Sequence, residues 1–216
     1  MSVPRRRGIA GHRLNLDDGE TARVQGLPVT AVHRTWLDLA GLLTVEELVV
    51  IGDQLISEPH RPFGPSRRAA ISQTRLAEYV DGKTRVPGLP NARRAMHLIR
   101  PGVDSPPETR LRLLLHRAGL PEFTPNMVIF DQTGQPALWT DLGCRRYRTC
   151  LEYEGVHHLN AGQQSRDHER DLLTVELGWH QVKVNAFDMA QGSHWVVAKV
   201  RHALAKGGWR PDEDGR

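Results

Sequence analysis

Three acidic residues in the second half of the chain have the types and spacing to hold a divalent metal ion. Asp141 is followed, after ten intervening residues, by the triplet Glu152-Tyr153-Glu154. PALWTDLG (136–143) and TCLEYEG (149–155) both read as short strands. Strand side chains alternate between faces, so Glu152 and Glu154 point one way and Tyr153 the other. The intervening GCRRYR can turn the chain back, and two antiparallel strands then bring Asp141 near Glu152. Three carboxylates on one face are costly unless a cation neutralises them. An all-oxygen set suits Mg²⁺ or Mn²⁺. Such an ion lowers the pKa of bound water and stabilises charge at a scissile phosphate. A second reading stays open, in which Glu-Tyr-Glu is the wet face of an edge strand.

Other residues near these three offer supporting chemistry, each with a plainer alternative. His157 and His158 follow Gly155, and a neutral histidine can take a proton from water near pH 7. They read equally as solvated loop residues. Asp167 and Arg170 are three apart on a helical stretch and share a face, as a local ion pair or as a brace for the site. Arg145, Arg146 and Arg148 occupy the turn between the two acidic strands, where they either touch a DNA backbone or face solvent. Lys183 lies in a later strand-like run, as an exposed lysine or a site cation. Cys144 and Cys150, with the two histidines, lack the spacing of a zinc knuckle and read as small apolar strand residues.

The elements that must position these residues follow from periodicity. Residues 100–107, RPGVDSPP, interrupt a helical pattern with three prolines and a glycine. Downstream, 108–118 reads as an amphipathic helix with Leu111, Leu114 and Leu115 inward. Glu108 is the third residue after Ser105, which makes a capping box. Strands follow at 126–131, 136–143 and 149–155, then a helix at 163–177, a strand at 179–184 and a closing helix at 193–208 ended by Gly207-Gly208. The order is helix, three strands, helix, strand, helix, a mixed α/β arrangement. Upstream, GIAGHRLNL and TARVQGL flank Asp17-Asp18-Gly19 and read as a hairpin over 8–25. Helices are expected at 31–40 with Thr30 as N-cap, from the Thr44–Glu47 capping box onward, at 67–80 and at 91–99. The organisation expected is a mostly helical region over 1–102, an α/β region over 103–208 and a loose tail, 209–216.

Composition limits the classes of function. The 216 residues carry 29 Lys and Arg against 25 Asp and Glu, a net charge of +4. That balance permits a polyanionic partner without demanding one. An apolar share of 39% suffices for a core. No run approaches the roughly 18 apolar residues of a membrane span. The charged N-terminus is not followed by the apolar stretch of a secretory signal. Two cysteines cannot form a disulfide scaffold, and a reducing cytoplasm is the expected compartment.

The pattern of Asp141 followed by Glu152-Tyr153-Glu154 resembles the Asp…Glu-x-Lys core of the PD-(D/E)XK nucleases. The longer runs EYEGVHH, SRDHERDLL and LGWHQVKV, with SPPETRLRLLLHRAGLPEFTPN upstream, resemble one branch of that superfamily. It comprises the very-short-patch-repair-endonuclease-like bacterial proteins. The likeness covers about residues 103–206. It implies a restriction-endonuclease-like core and a Mg²⁺- or Mn²⁺-dependent endonuclease that cuts DNA, in repair or phage defence. It also implies Glu108, Asp141 and Glu152 as metal ligands, and His158 as the better match to the histidine of the loop. Glu154 departs from the pattern, since it occupies the place of the usual lysine. A lysine there stabilises negative charge or positions water, whereas Glu154 can only accept hydrogen bonds or bind metal. Lys183 is the candidate for a displaced cation.

Two further functions compete with the enzyme. One is a silent nuclease fold that binds DNA, or regulates, without turnover. The other is a component of a toxin–antitoxin-like or defence system, because similar larger proteins often begin with an antitoxin-like winged helix. By that resemblance, residues 8–40 look like the segment joining such a domain to the nuclease, and the chain is expected to be truncated at its start. DNA binding is then expected to be weak and mainly electrostatic.

Overall fold

The computed structural model describes residues 7, 8, 11, 15–58, 68–155 and 161–211, with side chains except those of 161–167. Strands β1 (Thr21–Val24) and β2 (Leu27–Thr30) lead into helices α1 (Val32–Leu39), α2 (Val45–Ile56), α3 (Gln73–Asp81), α4 (Leu89–Leu98) and α5 (Pro106–Arg117). Strands β3 (Thr124–Phe130), β4 (Pro136–Cys144) and β5 (Thr149–Glu154) follow. The chain then forms α6 (Ala161–Glu176), β6 (His180–Asn185), α7 (Ala186–Ala190) and α8 (Ser193–Lys206). This is an α/β architecture, and no helix among the described residues is long and apolar enough to cross a membrane.

Several local expectations are corrected. The hairpin pairs Thr21–Val24 with Leu27–Thr30 and turns at Gln25-Gly26, not at Asp17-Asp18-Gly19. Of the two-residue turns that match strand twist, type I′ needs positive φ at both positions, and Gln25 (φ 50) and Gly26 (φ 80) supply it. The earlier turn is instead closed by the Glu20 N–H, which donates to the Asp17 carbonyl at 3.1 Å. The N-cap of α1 is Ala31 rather than Thr30, whose hydroxyl lies 2.7 Å from that of Thr35. The Thr44–Glu47 capping box opens α2 as expected. The expected loop over 57–66 falls largely outside the described residues. Sequence periodicity does not reveal α7, although Asn185 and Asp188 form a capping box that opens it. The tail is not loose at its start. Gly208 (φ 91) turns the chain back, the Trp209 N–H donates to the Leu204 carbonyl at 3.0 Å, and the indole is buried.

The four-stranded sheet has the order β3-β4-β5-β6. Its first two pairings are antiparallel and β5–β6 is parallel. On one face Leu111, Leu114 and Leu115 of α5 and Val196, Val200 and Leu204 of α8 pack with Leu142, Leu151, Val182 and Val184. On the other face Met127, Ile129, Leu138 and Cys150 meet Leu173 and Leu177, the latter just beyond α6. Cys144 belongs to the first core and Cys150 to the second, so the free cysteines pack as apolar residues on opposite faces.

Helix α5 also faces the N-terminal helices. Leu113 packs with Trp36, Leu48, Val49 and Ile99, in a core separate from that of Leu111. Beside it, Arg112 forms a 2.7 Å ion pair with Asp53 of α2, both side chains being buried. The Thr109 hydroxyl and the Arg100 N–H donate to the same carboxylate at 2.9 and 2.8 Å. Burial pushes the Asp53 carboxyl up, against the pull of Arg112. Removing one member of a buried ion pair leaves the other charge unpaired. Asp53→Asn keeps only one acceptor oxygen and strands Arg112, and is expected to cost about 3–5 kcal/mol in urea denaturation. An unchanged midpoint would show that α2 and α5 are held by apolar packing alone.

Candidate metal and phosphate site

The carboxylates sit where β4 and β5 part. The last direct register pairs are Leu142↔Leu151, Gly143↔Cys150 and Cys144↔Thr149. Beyond them two side chains of β4 take over bonds that a backbone ladder would make. The Thr140 hydroxyl donates to the Leu151 carbonyl at 2.9 Å, and the Tyr153 N–H donates to Asp141 Oδ2 at 2.7 Å. Backbone groups at such a split must be satisfied somehow, and short polar side chains do it here. The split accompanies a change of face. Leu138 and Leu142, four apart, would share a face in a regular strand, yet they belong to the cores on opposite sides.

Asp141 is buried here, against α5. Glu108, also buried, enters from the first turn of that helix. It caps the helix, but not as the reciprocal box expected: its carboxylate accepts the Asp104 N–H instead of the Ser105 N–H. The Ser105 hydroxyl donates to Oε1 at 2.7 Å, the Asp104 N–H donates to Oε2 at 3.0 Å, and the Glu108 N–H approaches the Ser105 hydroxyl at 3.5 Å. Capping and proximity to Asp141 are therefore combined in one carboxylate. Burial, and then the charge of Asp141, push Glu108 up to about 7. Two carboxylates brought together out of water are a donor set suited to a hard divalent cation.

Glu152 and Glu154 are each engaged by a cation. Glu152 Oε1 is 2.6 Å from Arg170 of α6, whose guanidinium also donates to the Trp139 carbonyl. Arg170 thus bridges β4 and β5 from the α6 side. Glu154 is half exposed and lies 3.6 Å from Lys183, which is bound more closely to Asp171 at 2.7 Å. In the parallel register Lys183 is opposite Glu152. The expected grouping of Asp141 with both glutamates is thereby divided, Asp141 with Glu108 and the two glutamates with cations. Among the described residues, no three His, Cys, Asp or Glu side chains come close enough together to hold a metal ion.

Of the remaining candidates, Arg146 is exposed in the turn after β4, its guanidinium 5.0 Å from the Tyr147 ring. His157 and His158 fall outside the described residues. Asp167 lies in α6, within the stretch whose side chains are not described.

No protein-family model matches this chain, and no curated protein or solved structure is similar to it.

Sequence reasoning overlooks two acids with structural weight at this end of the sheet. Asp171 is the nearer partner of Lys183, and only its place one residue after Arg170 hints at it. Asp188 gathers Asn185, Trp195 and Lys199, and the N-A-F-D spacing of a capping box is the signal that marks it.

Proposed function

We propose that this chain is a divalent-metal-dependent DNA endonuclease of the PD-(D/E)XK type, hydrolysing phosphodiester bonds. The observation that carries the reading is the Glu108–Asp141 pair, two buried carboxylates in which burial, and then the charge of Asp141, pushes Glu108 up to about 7. The restriction-endonuclease-like order of elements over 103–208 supports it, with Glu108 on α5, Asp141 on β4 and Glu152 on β5. Glu108 and Asp141 would hold Mg²⁺ or Mn²⁺, and Glu152, paired with Arg170 here, would complete the set. The ion would supply an acidified water and offset negative charge on the phosphate. Arg170 fixes the separation of β4 and β5 by binding both, and Lys183 restrains Glu154. Arg146 would meet the DNA backbone, as a phosphate contact that positions without reading sequence.

A second reading is favoured by the same ion pairs. With Glu152 bound to Arg170 and Glu154 in place of lysine, the fold would serve as a DNA-binding or regulatory module without turnover.

Metal binding separates the two. In thermal melts, Mn²⁺ or Mg²⁺ is expected to raise the wild-type Tm, by mass action on the folded state. Glu108→Gln should abolish that increment. In chelator the same variant should be at least as stable as wild type, because a buried like charge is gone and the amide can still bond to Ser105 and Asp104. A metal response that survives both Glu108→Gln and Asp141→Asn would place the ion elsewhere and sink the reading.

A further inference from the structure

Helix α8 has an unusual charge distribution. Its 14 residues, SHWVVAKVRHALAK, include Lys199, Arg201, Lys206 and two histidines and no acid. The side bearing Val196, Val197, Val200 and Leu204 is buried against the sheet. The outer side exposes Trp195, Arg201, His202 and Lys206.

Trp195, at the start of this side, is 49% exposed. It is nevertheless held by one edge. Its indole N–H donates to Asp188 Oδ1 at 2.9 Å, while Lys199 Nζ and the Asn185 N–H donate to Oδ2 at 2.9 and 3.2 Å. Lys199 Nζ also donates to the Lys183 carbonyl at 2.9 Å, which ties the arrangement to β6. A buried carboxylate therefore orients an aromatic ring that stays half exposed. Phe187, on α7 beside Asp188, is 70% exposed. Asn185 is the register partner of Glu154, so this aromatic corner lies at the end of the sheet that bears the glutamates.

The other end of α8 reaches the turn after β4. A Cβ placed on Gly207 would come within 1.9 Å of the Tyr147 carbonyl oxygen, and that contact sets the helix end beside exposed Arg145 and Arg146. From Trp195 to this turn the helix runs about 20 Å at 1.5 Å per residue. A flat aromatic followed by an acid-free row of cations matches the two needs of a nucleic-acid strand, a surface for an unstacked base and charge for its phosphates.

We propose that the outer face of α8, from Trp195 to the arginine turn, is a track for single-stranded DNA, with an unpaired base stacked on Trp195. The choice of DNA rests on the nuclease reading above. The stacking surface rests on Trp195 and Asp188, and the track on the charge of α8.

The test is fluorescence anisotropy of the full chain with a labelled oligothymidylate of about 12 nucleotides, within the range bound by single-strand sites. It is run in chelator at low salt, beside a blunt duplex of equal length. Trp195→Ala is expected to weaken oligothymidylate binding about tenfold, and Trp195→Phe to keep it within about twofold, because stacking needs only a ring. Arg201→Gln with Lys206→Gln should lower both the affinity and its dependence on salt. Duplex binding should be weaker and indifferent to Trp195. Oligothymidylate binding that is absent, or unaltered by Trp195→Ala, would overturn the track, as would a duplex bound equally well. Melting curves of each variant show that the fold is retained. Trp195-dependent binding without any metal response would keep the track and remove the nuclease reading. A metal response with Trp195-independent binding would do the reverse.

Discussion

Supercoiled plasmid incubated with the wild-type chain and Mn²⁺ is expected to be nicked, and Asp141→Asn should reduce the rate by roughly a hundredfold or more. The magnitude follows from the several kcal/mol that a metal contributes at a phosphoryl centre. Asn keeps the shape of the side chain and can still accept the Tyr153 N–H, which donates to Asp141 at 2.7 Å, so the split between β4 and β5 should persist. Glu152→Gln is expected to match it while DNA binding stays intact, because the charge shared with Arg170 is lost but the strand is not. Glu154→Lys is the informative variant. It sets a second ammonium beside Lys183, which now lies 3.6 Å from Glu154 and 2.7 Å from Asp171. If Glu154 is a silencing replacement, activity rises; if it assists the site, activity falls. Lys183 already stands at this place, so the fall is the expected result. Wild-type protein free of contaminating nuclease that neither binds Mn²⁺ nor nicks would leave only the DNA-binding module.

Glu20→Gln is expected to lower stability at neutral pH on the order of 3 kcal/mol, a loss comparable with that of Asp53→Asn. Burial alone would raise this carboxyl, but Lys83, Tyr79, the Asp17 N–H and Arg34 outweigh it and hold it down to about 2. Lys83 and Arg34 each approach Glu20 at 2.6 Å. A carboxyl held at about 2 rather than its ordinary 4.5 binds its proton less readily in the folded chain than in the unfolded one. Its contribution is therefore complete above about pH 4.5 and is lost as pH falls toward 2. Urea titrations at pH 7, 4.5 and 2.5 should show the wild type approaching the variant as pH drops. Parallel curves, with a constant gap down to pH 2.5, would mean that Glu20 acts by shape and not by charge.

Where the sequence is legible, it is because the signal is local. The capping box at Thr44, the Ser105 N-cap and the strand periodicity around Asp141 and Glu152 each depend on residues a few positions apart. The hairpin was misread for a related reason. Asp17-Asp18-Gly19 has good turn chemistry, but what pins that segment is Glu20, whose partners Tyr79 and Lys83 lie about sixty residues away. Neither a buried pair such as Asp53–Arg112 nor the change of face within β4 leaves a local trace. Both depend on which distant groups are there to be satisfied. The division of the carboxylates follows from the second of these. Regular alternation groups Asp141 with Glu152, and it gives no sign of the displaced ladder bonds of Thr140 and Asp141 or of the hold of Arg170 on Glu152.

Helix α5 carries a consequence for how such a chain can change over evolutionary time. Its Leu113 and Arg112 serve the N-terminal core while its Leu111, Leu114, Leu115 and Glu108 serve the sheet. The proline-rich stretch before it looks like a seam at which a gene could be cut and rejoined, yet neither product would be whole. A piece beginning at residue 103 would keep the carboxylates but present a buried arginine and a leucine to water. A piece ending there would lose the lid of its own core. Recombination at that seam is therefore penalised, and the two halves are bound to be inherited, and to drift, together.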